Sequence, residues 1–159
     1  MALVHENLYQ AGNFSKIPMA RHIHSLCAHL SRAYDSVGRR TELTTRVSDL
    51  HLDMNQAVTC GLIINELVSN ALKHAFPDGR AGHVRVELRP VGGQRHILLV
   101  SDNGVGLPPN LDLGRADSLG LQLVHDLIEQ LHGTVAVSRD SGTAFTIAFE
   151  ETGNGKIEA

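Results

Sequence analysis

The stretch that most restricts the fold is "HVRVELRPVGGQRHILLVSD", residues 83–102. Its first arm alternates apolar and polar residues, its second is almost wholly apolar, and Gly92-Gly93 between them signals a hairpin. An alternating strand buries one face, whereas an apolar one belongs at the centre of a sheet, so this hairpin needs further strands and a covering layer. "TVAVSR" and "AFTIAFE" supply two strands, and "RTELTTRVSDLHLDM" reads as a strand followed by a short second one.

Helical spacing supplies the cover. After an opening helical piece, "MALVHENLYQ", and a turn-prone "AGNFSKIP", a helix is expected from Pro18, with Ile23, Leu26, Cys27, Leu30 and Tyr34 on one stripe. A long helix capped by Asn55 runs to about Ala75, where "PDGRAG" stops it. Ser118 caps a third, "SLGLQLVHDLIEQLH", whose Leu121, Val124, Ile128 and Leu131 share a face and whose stop is Gly133. The predicted fold is an α/β two-layer sandwich with helices on one face of a mixed sheet.

Composition narrows the class. A chain of 159 residues with 42% hydrophobic residues and no Trp suits one domain with an aliphatic core. The net charge of -3 offers no field for nucleic acid, and neither a membrane span nor a signal-peptide layout is visible, so the expectation is a cytoplasmic protein. Cys27 and Cys60 fall among aliphatic neighbours and read as core residues. His22, His24 and His29 lack the spacing of a structural metal site.

"NELVSNALKHAF", Asn65 to Phe76, is polar beyond what burial needs. Glu66, Asn70 and the Lys73/His74 pair fall on successive turns of one side, with Leu67, Val68, Ala71 and Leu72 on the other, so the polar line flanks a cavity. An Asn oxygen beside a carboxylate suits Mg2+, and Lys73 offers a point charge to phosphate. In "DNGVG", at the end of the apolar strand, Asp102 can accept from an adenine amine, while Gly104 and Gly106 admit close backbone approach. Gly120 opens a helix whose free N–H groups favour phosphate. Taken singly, each of these also reads as a cap, a turn or a packing glycine. Neither G-x-G-x-x-G after a first strand nor the P-loop pattern occurs, so a nucleotide site would be built differently.

In order, "NELVSNALKHAF", "VSDNGVGLP", "SLGLQLVHDLIEQLHGTVAV" and "SGTAFTIAF" resemble the N box, the two glycine boxes and the closing Gly-Thr strand of the GHKL ATPases. That superfamily holds gyrase, Hsp-type chaperone, histidine kinase and MutL-type proteins. The wording is most similar to the catalytic and ATP-binding domain of bacterial sensor histidine kinases, over roughly residues 42–150, and upstream to kinases of the HWE and HisKA-2 kind. The resemblance implies the Bergerat fold, ATP and Mg2+ as cofactors, and transfer of the γ-phosphoryl group to a histidine on a dimerisation domain, then to a response regulator receiver domain.

It also implies roles. Asn70 would hold Mg2+, Glu66 would polarise the attacking group, and Lys73 and His74 would contact phosphate. Asp102 would read adenine in a pocket shaped by Gly104 and Gly106, Gly120 and Leu121 would open the helix beneath the phosphates, and Thr143 would support the adenine end. Residues 107–118 would form the lid. Residues 1–38 would be the end of a dimerisation helix and a connecting helix, 39–152 the catalytic domain and 153–159 a polar tail. No acceptor box of the H-R-x-K-N kind is present, and His5 in "HEN" reads as a solvated or packing residue, so the acceptor would lie outside this chain. The lid is short and "SLGLQL" is poorer in glycine than the common second box, which implies fewer N–H groups around the triphosphate. The same boxes serve GHKL hydrolases, anti-sigma-type serine kinases and non-catalytic scaffolds that bind a response regulator.

Overall fold

The computed structural model describes residues 16–34, 41–106 and 119–152. The opening helical piece, His5, the lid, the Ser118 cap and the tail lie outside them. A two-residue strand, β1 (Ile17–Pro18), leads straight into α1 (Met19–Ala33), with Pro18 as the extended residue before the first turn. The expected stripe is buried at Ile23, Leu26, Cys27 and Leu30, and Tyr34 packs half-buried against it.

The next strands, β2 (Thr41–Val47) and β3 (His51–Leu52), do not pair with each other. β3 pairs antiparallel with β1, stitching the start of α1 to the body. The long helix α2 (Met54–His74) follows. Its cap is Asp53 rather than Asn55, because the Asp53 carboxylate accepts from the Gln56 N–H at 2.8 Å and Met54 is already helical. After a 3-10 turn at Pro77–Gly79 come β4 (Gly82–Gly92) and β5 (Arg95–Asp102). Gly93 opens the two-residue turn with a positive φ, and Gly92, which pairs with Arg95 where the register shifts, takes one as well.

The remaining elements are α3 (Leu119–Gln130), β6 (Thr134–Ser138) and β7 (Thr143–Glu150). The left-handed residue after α3 is His132, at φ 54°, not Gly133. His132 donates to the Glu129 carbonyl and Gly133 to that of Ile128, a paired helix ending with Gly133 one place further on. A β-carbon on Gly133 would stand 2.7 Å from the Ala148 carbonyl, so close packing on β7 is what this glycine serves.

Among the described residues the main sheet has the order β2-β4-β5-β7-β6, with the apolar β5 in the middle, as its sequence requires. β2 runs parallel to β4, since α2 carries the chain back between them, and the other pairs are antiparallel. Val84, Val86, Leu88, Leu98, Val100, Phe145, Ile147 and Phe149 face the helices and are buried. Each Leu, Ile or Phe so buried contributes about 1.5–3 kcal/mol, and this one covered face holds the two layers together. Both cysteines lie in this core, where burial pushes their thiols up to about 12. No helix among the described residues is long and apolar enough to cross a membrane.

Candidate functional site

The last turns of α2 place Leu67, Asn70, Ala71, His74 and Ala75 along one wall of a cavity of about 210 Å3. Leu67, Ala71 and Ala75 recur every four residues, so they stack on one line, and the two alanines leave space that larger side chains would fill. Asp102 comes from the end of β5, Gly106 from the segment that follows it, Leu121 from the first described turn of α3, and Thr143 and Phe145 from β7. The cavity lies between α2, α3 and the sheet, at the end of β5 where Asp102 stands opposite Thr143, the first residue of β7.

Asp102 is the one carboxylate in this lining. Its Oδ1 accepts the Gly104 N–H at 2.8 Å, which fixes the carboxylate's direction. Burial pushes its carboxyl above the ordinary carboxylate range, while hydrogen bonds from the Gly104 and Thr143 backbones pull the other way. The neighbouring Asn103 serves the sheet instead, since its side-chain oxygen accepts the His83 N–H at 2.8 Å and extends the β4 edge.

The glycines around Asp102 are set by space and by backbone sign. A β-carbon on Gly104 would lie 2.3 Å from the Ala75 carbonyl, and one on Gly142 would lie 2.1 Å from the Asp102 carbonyl. Gly106 takes φ 82° and Gly142 φ 119°. Three chain segments therefore meet here backbone to backbone.

Of the sequence-predicted residues, Asn70, His74, Asp102, Gly106, Leu121 and Thr143 line the one cavity. Gly120 sits beside Leu121 in the first turn of α3, and Gly104 forms the joint behind the cavity wall. Glu66 is half-buried one turn before Asn70, outside the lining. Lys73 is exposed, and its Nζ lies 5.8 Å from the centre of the Tyr34 ring on the α1 side. Sequence reasoning assigned Leu67 and Ala71 to the core side and missed Ala75, Phe145 and Gly142 as parts of the site; the four-residue spacing of Leu67, Ala71 and Ala75 was the available signal. A larger recess of about 890 Å3 opens at the other end of α2, among Asp53, Gln56, Leu131 and Glu151, and holds none of the expected residues.

A largely apolar cavity with one carboxylate in its lining has the chemistry to accept a flat heteroaromatic ring that presents a hydrogen-bond donor. Asn70 and His74 share that lining with Leu121 in the first described turn of α3, and their polar groups suit anionic groups and a hard cation.

Residues 55–153, more than half of the chain, match the family described as histidine kinase-, DNA gyrase B- and HSP90-like ATPase. The chain belongs to this ATPase family. Among its ATPase relatives, the sensor histidine kinase PdtaS of Mycobacterium tuberculosis is 40% identical over 103 residues, which cover 62% of this chain and 20% of PdtaS. Blue-light-activated histidine kinase 2 of Erythrobacter litoralis is 28% identical over 107 residues, covering 67% of this chain and 31% of that protein. The match to PdtaS thus spans about a fifth of that kinase's length. The histidine kinase domain of the blue-light-activated kinase EL346 from Erythrobacter litoralis superposes with a TM-score of 0.83 at 24% identity, over 92% of this chain and 74% of that one. The expected α/β sandwich and the resemblance to the ATP-binding domain of sensor histidine kinases are both borne out.

Proposed function

We propose that this chain is the catalytic, ATP-binding part of a sensor histidine kinase and transfers the γ-phosphoryl group of ATP to a histidine on a dimerisation domain outside it. One observation supports the reading: Asp102, its carboxylate held by the Gly104 N–H, lines one largely apolar cavity together with Asn70, His74 and Thr143. Asp102 accepts from the exocyclic amine of adenine, with Thr143 beside it. Guanine would bring a carbonyl oxygen against that carboxylate and be refused. Gly104 and Gly106 shape the base pocket, and the first turn of α3, at Gly120 and Leu121, offers backbone N–H groups to the phosphates.

Asn70, with the Glu66 carboxylate a turn away, gives the oxygen donors that suit Mg2+; bound there with the phosphates, the ion would neutralise their charge. Lys73 and His74 add phosphate contacts. Because phosphoryl transfer passes through a loose transition state, these residues act by alignment and charge. Neutral imidazole attacks through its free lone pair, so Glu66 has only to orient the ring and accept the proton from its other nitrogen. Residues 1–38 serve as the connection to the dimerisation domain, and the phosphorylated histidine then supplies a receiver domain.

Calorimetric titration with ADP, a non-hydrolysable ATP analogue and GDP, with and without Mg2+, tests the binding step. Adenine nucleotides should bind, more tightly with Mg2+, and GDP should not. Transfer of label from γ-phosphate-labelled ATP to an added histidine-bearing domain tests the second step. Equal binding of GDP, or label appearing on serine, would overturn the corresponding half.

A further inference from the structure

Lys73 and His74 are neighbours at the end of α2, yet they part company. His74 lines the nucleotide cavity, whereas the Lys73 ammonium lies over Tyr34, 5.8 Å from the ring centre, within the reach of a cation–π contact. Tyr34 closes α1: its N–H donates to the Leu30 carbonyl, and its ring packs half-buried against the core. α1 lies against α2 and β2, while α3 lies against α2 at the cavity. The structure therefore places the Lys73 ammonium on the α1 side, outside the cavity lining, at the end of a long and flexible side chain.

We propose that Tyr34 is a positioning residue for the phosphates, acting through Lys73: the ring holds the ammonium in the empty protein, and phosphate binding draws it off. This rests on the nucleotide reading above and adds a coupling to it. A cation that leaves one partner for another costs the first contact, so Tyr34 lowers affinity for phosphorylated ligands and leaves affinity for the bare nucleoside unchanged. By reciprocity, nucleotide occupancy loosens the end of α1 by the same factor. The other end of α1 is fixed, since β1 pairs with β3 and Lys16 bonds Glu151 at 3.1 Å. α1 is about 22 Å long, from its 15 residues at 1.5 Å each, so the contact links the phosphate end of the site to the segment through which the chain enters the domain.

The test compares the parent chain, Tyr34→Leu, Tyr34→Phe, Lys73→Met and the double variant Tyr34→Leu/Lys73→Met, titrated with adenosine, ADP and a non-hydrolysable ATP analogue. Tyr34→Leu should bind the analogue about 2- to 5-fold more tightly, the range an exposed cation–π contact carries, with adenosine unaffected. Tyr34→Phe keeps the ring and should match the parent. In the Lys73→Met background the Tyr34→Leu change should have no effect. The chain has two tyrosines and no Trp, so tyrosine ring resonances give a second readout that needs no disruptive variant. The Tyr34 signal should shift with the analogue, not with adenosine, and not in Lys73→Met. A Tyr34→Leu variant that binds the analogue with unchanged or weaker affinity, or that shows the same effect without Lys73, overturns the proposal while adenosine binding still supports the nucleotide site. Failure of every adenine ligand to bind overturns both.

Discussion

Gly104 and Ala75 lie so close that a β-carbon on the glycine would stand 2.3 Å from the alanine's carbonyl oxygen, and the adjacent Val105 N–H donates to that same oxygen at 2.9 Å. The end of α2 is thereby fastened to the loop that presents Asp102. A backbone carbonyl cannot swing aside as a side-chain tip can, so Gly104→Ala must push the two segments apart. Overpacking of this kind costs about 1–3 kcal/mol. Urea denaturation should show that loss, and nucleotide titration a larger proportional loss of binding, because the displaced segment carries Asp102. Unchanged binding would mean that the joint does not set the position of the carboxylate.

Asp102→Asn tests the proposed adenine contact and has a definite stability sign. Burial raises the folded carboxyl above its ordinary 3.8, so the favourable contribution of Asp102 is complete below that value and is lost as pH rises through the folded value. Asn cannot ionise, so Asp102→Asn should equal or exceed the parent in stability at pH 7 and lose that advantage in acid. Adenine nucleotide affinity should fall at least about tenfold, since a hydrogen bond to a charged acceptor is worth roughly 1.5–3 kcal/mol. Denaturation at pH 4 and pH 7, beside calorimetry, reads both effects.

His22, on α1, is buried, and burial pulls its imidazole below the usual 6.5. The unfolded chain therefore takes up the proton first, and stability should decline as pH falls below about 6.5 towards the folded value. His22→Phe should flatten that part of the stability profile. An identical slope in parent and variant between pH 5 and 7 would assign the decline to other groups.

Glu151 joins both ends of the described chain to the sheet: it meets buried His96 Nε2 at 2.6 Å and Lys16 Nζ at 3.1 Å. Burial pushes this carboxyl up, but the hydrogen bonds from His96 and Lys16 outweigh it and hold the group below its ordinary 4.5. Its contribution is present above that value and is lost as pH falls through the folded one. Glu151→Gln should accordingly be less stable than the parent at pH 7 and converge with it in acid, and hydrogen exchange at Ile17 should quicken, since β1 is held at this corner.

Much of this was legible in the sequence because it depends on short-range periodicity. The β4–β5 hairpin follows from Gly92-Gly93, the central place of β5 from its unbroken apolar run, and the helix faces from three- and four-residue spacing. Local signals misplaced what neighbours decide. Asn55 and Asp53 are both good caps, and the choice fell on Asp53, whose other carboxylate oxygen also accepts from the Thr152 hydroxyl ninety-nine positions away. Gly133 reads as a helix stop, but its lack of a side chain is needed against β7 and His132 carries the left-handed turn.

The layers, the order of the boxes and the family are legible from the chain alone, because a 3.6-residue or two-residue period and an ordered set of polar residues need no knowledge of what they touch. Which of those residues share a cavity depends on how the layers pack. Residues as far apart as Asn70, Asp102 and Thr143 converge where two strands end beneath two helices. The space itself is set by Ala71 and Ala75, whose role is the volume they leave unfilled. Lys73 and His74, adjacent in the chain, are sent to different partners because successive helical residues point about 100° apart, and it is the packing of α1 and α3 on either side of α2 that gives each direction its meaning.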